Sequence, residues 1–116
     1  METEKKKIGE FELDKIYNGN CIKEMEKIPE NSVDLIITDP PFAINFKAKK
    51  MNYNRKGSNV MEGYNEITEK NYPSFSKDWI KQAHKVLKKN GSMYVFSGWN
   101  NLKDILDALD EVGFTT

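Results

Sequence analysis

The sequence predicts an open α/β fold built on a parallel sheet. Three observations lead there. The apolar run Leu35-Ile36-Ile37 ends abruptly at Asp39-Pro40-Pro41, as a strand buried inside a sheet would. Two helical stripes flank a second apolar run, Met93–Phe96. Strand-like and helix-like segments alternate along the chain, which is the pattern of helices packed on a parallel sheet.

Each element has its own signals. Leu13–Asn18 reads as a short strand and Cys21–Ile28 as a short helix, with Asn20 placed to cap it and Pro29 to prevent its continuation. Asn31-Ser32 marks a turn into the strand Val33–Thr38. Further on, Trp79, Ile80, Ala83, Val86 and Leu87 share one helical face, and Asn90-Gly91 is the expected stop. Ser92–Ser97 is the next strand. Leu102, Ile105, Leu106, Leu109 and Val112 form the last helical stripe, opened by Asn100 or Asn101 and closed by Gly113. The expectation is three parallel strands with flanking helices: residues 1–10 as a polar tail, and 11–116 as one incomplete domain interrupted by a long basic loop at 43–75. A sheet so narrow has exposed edges and a thin core.

Composition narrows the function classes. With 116 residues, 38% apolar and 31% charged, the chain suits one globular domain rather than a disordered segment. Its single cysteine, Cys21, cannot form an internal disulfide, and with His84 as the sole histidine a structural zinc site lacks ligands. The longest apolar run is far too short to span a membrane and Met1–Glu10 has no apolar signal core, so a cytoplasmic location is expected. Eighteen basic and eighteen acidic residues cancel, but their distribution is uneven. Between Ala43 and Met61 stand Lys47, Lys49, Lys50, Arg55 and Lys56 without one acidic residue. This stretch has the charge to meet a phosphate backbone, and Tyr53, Tyr64 and Tyr72 are expected to pack the loop against the body.

The tetrad Asp39-Pro40-Pro41-Phe42 carries the chemistry. In open α/β folds ligands bind beyond the carboxyl ends of the strands, where this tetrad falls. Each proline biases the residue before it toward extended geometry and itself lacks an N–H. The result is a stiff corner of acceptors, the Asp39 carboxylate and the Pro40 carbonyl, followed by the aromatic face of Phe42. Two acceptors beside a flat ring suit a planar heterocycle that bears an amino group.

The tetrad resembles the hallmark of the amino-group DNA methyltransferases, an Asp, Asn or Ser followed by Pro-Pro and an aromatic. Ile16-Tyr17-Asn18-Gly19-Asn20-Cys21 and Asn31-Ser32-Val33-Asp34-Leu35 resemble the segments preceding it in the family's beta class. Trp79 through Lys88, then Gly91–Phe96, are similar to the helix and strand that follow. The resemblance implies a Rossmann-like fold and transfer of a methyl group from S-adenosylmethionine to the exocyclic amino group of a base flipped out of double-stranded DNA. It implies catalytic roles for Asp39, Pro40, Pro41 and Phe42, and cofactor contacts from Asn20, Asp39 and Pro40. Asn20 stands where the family often has an acid that accepts from the cofactor's adenine. An acid at the head of the tetrad is associated with adenine N6 and a serine with cytosine N4. The five basic loop residues would meet DNA phosphates. Methylation at cytosine C5 needs a cysteine after a proline, and Cys21 follows Asn20.

One family feature is missing from the sequence. The cofactor motif contains a Gly-x-Gly turn, and no two of the seven glycines are separated by a single residue. The resemblance therefore implies the catalytic-motif portion of such an enzyme, inactive alone, with the cofactor turn carried by further chain or by a companion chain. The alternatives are a cytosine N4 enzyme, a glutamine-amide methyltransferase, disfavoured by Asp39, Phe42 and the basic loop, and a non-catalytic DNA-binding or assembly module.

Overall fold

A computed structural model describes residues 6–42 and 67–116 of the chain. Lys47, Lys49, Lys50, Arg55 and Lys56, together with Tyr53 and Tyr64, lie outside these residues.

The described chain opens with a small antiparallel hairpin, β1 (Lys7–Ile8) and β2 (Phe11–Glu12), turned through Gly9. This hairpin falls partly within the span read from sequence as a polar tail. The strand expected over Leu13–Asn18 does not form. Asp14 has a positive φ of 61°, and Leu13, Ile16 and Tyr17 remain exposed, so alternating apolar residues here find no sheet edge to join. Tyr17 instead packs edge-on to Phe11, with ring centroids 4.9 Å apart, and its hydroxyl accepts the Glu12 N–H at 2.8 Å.

Helix α1 (Cys21–Met25) begins where its cap requires: the Asn20 side-chain oxygen accepts from the backbone N–H groups of Ile22 and Lys23 at 3.1 and 3.2 Å. Strand β3 (Val33–Thr38) follows, then α2 (Tyr72–Val86), β4 (Leu87–Val95), a 3-10 turn (Trp99–Asn101) and α3 (Leu102–Val112). The helix α2 starts inside the span read as loop. Pro73 in its first turn explains why: its missing N–H costs nothing there and its φ already suits a helix.

The strands β3 and β4 are parallel, with Leu35 opposite Ser92, Ile36 opposite Met93, Ile37 opposite Tyr94 and Thr38 opposite Val95. Among the described residues this sheet has two strands rather than the three expected. The Asn90-Gly91 pair also has a different role from the one its sequence suggests. The helix stops at Val86, because Leu87 is already extended (φ −70°, ψ 139°) and the N–H groups of Asn31 and Ser32 take the carbonyls of Lys85 and Val86. Gly91 instead lies within β4, where the register between Val33 and Leu35 is irregular. A Cβ there would stand 3.0 Å from the Lys88 carbonyl and 3.1 Å from that of Asp34, so any larger residue would push the backbone apart by a few tenths of an ångström.

The core lies between α2, α3 and one face of the sheet. Tyr72, Trp79, Ile80, Ala83, Ile105 and Ala108 form its centre, and Ile36, Met93 and Val95 reach it from the strands. No element among the described residues covers the opposite sheet face: Leu35, Ile37, Tyr94 and Phe96 are about half to two-thirds exposed. The strand β3, read from sequence as buried on both sides, is therefore buried on one. In α3, Ile105 and Ala108 face the core while Leu106 points out, and Gly113 ends the helix in the left-handed region (φ 117°). Trp99, in the 3-10 turn just before α3, is 87% exposed.

Candidate active-site corner

The hydrogen-bond ladder of β3 runs to its last residue, where the Thr38 carbonyl accepts the Phe96 N–H at 2.9 Å. Beyond it the prolines end regular pairing, and the chain turns through Asp39, which is exposed, and Pro40, which is buried. Asp39, Pro40 and Pro41 line a cleft of about 300 Å3 together with Thr38, Phe75 and Trp79. Its remaining walls, which include Cys21 and Met25 of α1, are mainly apolar. An apolar cleft holding a few convergent polar groups is the usual form of a small-molecule site.

Three of the four tetrad residues thus meet in one cleft. Phe42 does not line it: the half-buried ring packs beside Gly98, where an added Cβ would stand 3.6 Å from the ring. Asn20 is also absent from the cleft walls, and its side-chain oxygen already accepts two backbone N–H groups, which engages both lone pairs.

Phe75, Trp79 and Cys21 were not read from sequence as site residues. Phe75, Trp79 and Ala83 recur every fourth residue along α2, and all three line the cleft. That spacing is the signal for a shared face, but only the tertiary fold shows that the face borders the corner. Trp79 is 4% exposed, and its indole N–H has no hydrogen-bond partner among the described residues. Cys21 is an exposed free thiol at the start of α1.

A larger cleft, about 600 Å3, lies at the other end of β3, between Glu30, Asn31, Lys81 and Lys85. His84 lines it, is exposed, and meets Phe114 edge-on with centroids 5.0 Å apart. Lys77 on its rim pairs with Glu111 at 2.5 Å. The acceptor corner and this cleft are separate features. No group of histidine, cysteine and carboxylate residues able to hold a metal occurs among the described residues. No helix among them is long and apolar enough to cross a membrane.

The parallel α/β unit thus places an acidic Pro-Pro corner at a strand's carboxyl end, where open α/β folds bind ligands. The model of the N6/N4 DNA methylase family matches residues 33–116, and the chain belongs to that family. It is 31% identical over 102 residues to the type II methyltransferase M.HinfI of Haemophilus influenzae, covering 84% of this chain and 28% of that protein. It is 33% identical over 93 residues to the type II methyltransferase M.HpaI of Haemophilus parainfluenzae, covering 80% and 26%. With the type II methyltransferase M2.MboI of Moraxella bovis the identity is 32% over 104 residues, covering 85% and 37%. The chain therefore spans between about a quarter and rather more than a third of the length of these relatives.

Proposed function

We propose that this chain supplies the base-binding corner of a DNA methyltransferase that acts on the exocyclic amino group of a flipped base, most specifically adenine N6. The observation that carries this reading is the meeting of Asp39, Pro40 and Pro41 on the wall of an apolar cleft at the end of β3. An exocyclic amino nitrogen delocalises its lone pair into the ring and is a poor nucleophile while planar. Acceptors for both N–H groups, the Asp39 carboxylate and the Pro40 carbonyl, favour the pyramidal form that attacks. They are held by the strand and the prolines before reaction begins, which is how such groups lower a barrier. Phe42, at the edge of the corner, supplies a face on which the extruded base stacks. Asp39 in place of serine favours adenine; a cytosine N4 enzyme is the second reading on the same corner.

S-adenosylmethionine would supply the electrophilic methyl group. The described residues fit the base better than the cofactor, since both lone pairs of Asn20 are engaged and the sequence contains no Gly-x-Gly turn. Asp39 and Pro40 are the candidate contacts on this chain, and a turn carried by further chain or by a companion chain completes the cofactor site. Lys47, Lys49, Lys50, Arg55 and Lys56 are proposed to contact the phosphates of double-stranded DNA. If they do, Lys49→Ala with Lys50→Ala flattens the dependence of log affinity on log salt by up to about 0.9 for each phosphate no longer neutralised.

The test of the corner is Asp39→Ala in a methylation-competent assembly containing this chain, under single-turnover conditions. Methyl transfer should fall about a hundredfold or more, while DNA affinity changes little because phosphate contacts dominate it. Transfer at the parental rate would reduce the tetrad to a turn.

A further inference from the structure

Trp99 is more exposed than any other aromatic residue described, at 87%. A tryptophan gains more from burial than almost any other side chain, so one left in water calls for a reason. The turn itself does not require it. The backbone holds Trp99–Asn101, with the Asn101 N–H on the Gly98 carbonyl at 3.1 Å and the Leu102 N–H on the Trp99 carbonyl. The ring is displayed rather than used in packing.

Its place is set by the ends of the two strands. The bond from the Phe96 N–H to the Thr38 carbonyl, 2.9 Å, holds the chain leaving β4 beside the chain leaving β3. Gly98 then meets the tetrad, since a Cβ on it would stand 3.6 Å from the Phe42 ring. Trp99 is the next residue. An exposed indole thus stands one residue from the contact with Phe42, at the sheet's carboxyl end, where open α/β folds meet their ligands. Ser97, Gly98, Asn100 and Asn101 around it carry no charge, so nothing in this segment repels a phosphate backbone. Tyr94 and Phe96 are exposed as well, but they stand on the side of the sheet, which protein ordinarily covers in a parallel arrangement.

Extruding a base from a duplex breaks its stacking on both neighbours and leaves their faces open to water. We propose that Trp99 is a DNA-binding residue that stacks on a base of the same strand, next to the one held by the tetrad. This proposal rests on the reading of the corner as a base-binding site. Phe42 receives the extruded base, and Trp99 replaces part of the stacking its neighbour has lost. Every base has a π-face, so the contact adds affinity for unpaired DNA rather than a choice of sequence.

The test uses the full chain and its tryptophan emission. Trp99→Phe, a change at a solvent-facing position that leaves the fold intact, isolates the signal of the buried Trp79, so the difference reports Trp99. A single-stranded oligodeoxyadenylate of about ten nucleotides should quench the Trp99 emission and shield it from iodide. An abasic oligomer of the same length and charge should do neither. Trp99→Ala should weaken binding of the oligodeoxyadenylate about tenfold, Trp99→Tyr should restore most of that loss, and neither should alter the slope of log affinity against log salt, because no phosphate contact is removed. Equal effects of the two oligomers on Trp99 would overturn its stacking role. Binding of the oligodeoxyadenylate with no change at Trp99 would overturn it too and leave the base-binding corner standing. No binding of either oligomer would overturn both readings. Failure of iodide to reach Trp99 in the free chain would show the ring covered by protein and overturn the proposal. Quenching by S-adenosylmethionine but not by the oligodeoxyadenylate would assign the ring to the cofactor and overturn its assignment to DNA.

Discussion

Tyr72 is fully buried, yet its hydroxyl has no hydrogen-bond partner among the described residues. Burial pushes its pKa above the ordinary tyrosine value of 10.0, and the charge of Asp104 adds to the rise. Ser76 opposes it from the next turn of α2, although the two hydroxyls do not meet in ordinary hydrogen-bond geometry. A folded-state value above the unfolded one means that the folded chain holds the phenol proton more tightly. That contribution to stability is complete below the unfolded value and is lost as pH rises through the folded one. Tyr72→Phe should therefore leave stability unchanged at neutral pH, or raise it by about 1 kcal/mol by removing an unsatisfied hydroxyl. Its stability should also fall less steeply above about pH 10. Urea denaturation of both proteins across that range checks the sign. Phe42 is the second residue with a distinct expectation: Phe42→Ala should weaken capture of the flipped base by about 1–3 kcal/mol. Placing the target in a mismatch should restore part of that affinity, read as 2-aminopurine fluorescence in the same methylation-competent assembly.

At the scale of elements, short pieces depend on single residues. With five residues, α1 is too short to persist by propensity, and the Asn20 cap satisfies two of its first N–H groups. Asn20→Ala should destabilise the fold by about 1 kcal/mol and loosen the wall that Cys21 and Met25 give to the cleft. Faster reaction of the Cys21 thiol with a maleimide would report that loosening. The irregular start of the β3–β4 pair depends on Gly91, whose missing Cβ leaves room for two backbone carbonyls and for Leu87 Cδ2 at 2.9 Å. Backbone atoms cannot turn away as a flexible side chain can, so Gly91→Ala should cost about 1–3 kcal/mol. Thermal unfolding by circular dichroism measures it. The helix α2 was legible as an amphipathic stripe, and Trp79, Ile80, Ala83 and Val86 are indeed buried. Its end was not legible, because the Asn90-Gly91 pair suits a helix terminus as well as a strand irregularity.

Over the whole molecule, the described residues bury one face of a parallel sheet and leave the other bare. Leu35, Ile37, Tyr94 and Phe96 together make an apolar surface of the kind that isolated soluble proteins keep small. Replacing Ile37 and Phe96 with Lys should change stability by no more than about 0.5 kcal/mol and reduce concentration-dependent self-association, seen by sedimentation velocity. The ion pairs of the surface, among them Lys88–Asp34 at 2.8 Å and Lys103–Asp107 at 2.8 Å, join well-exposed side chains and should contribute little.

The sequence by itself determined the local features: the strand that stops at Asp39, the Asn20 cap, the stripe of α2, the Gly113 terminus and the acceptor corner. Each is written in neighbouring residues, through a proline that removes a donor, a side chain that reaches the next turn, or a spacing matched to a helical period. Only the tertiary structure decided which apolar residues had partners. Ile16 and Trp99 are as hydrophobic as residues in the core, yet both lie exposed. It likewise brought Phe75 and Trp79 from α2 to the cleft at the end of β3 and left Phe42 beside Gly98. Burial depends on what the rest of the chain packs against a residue, and that is a non-local quantity that no short stretch of sequence contains.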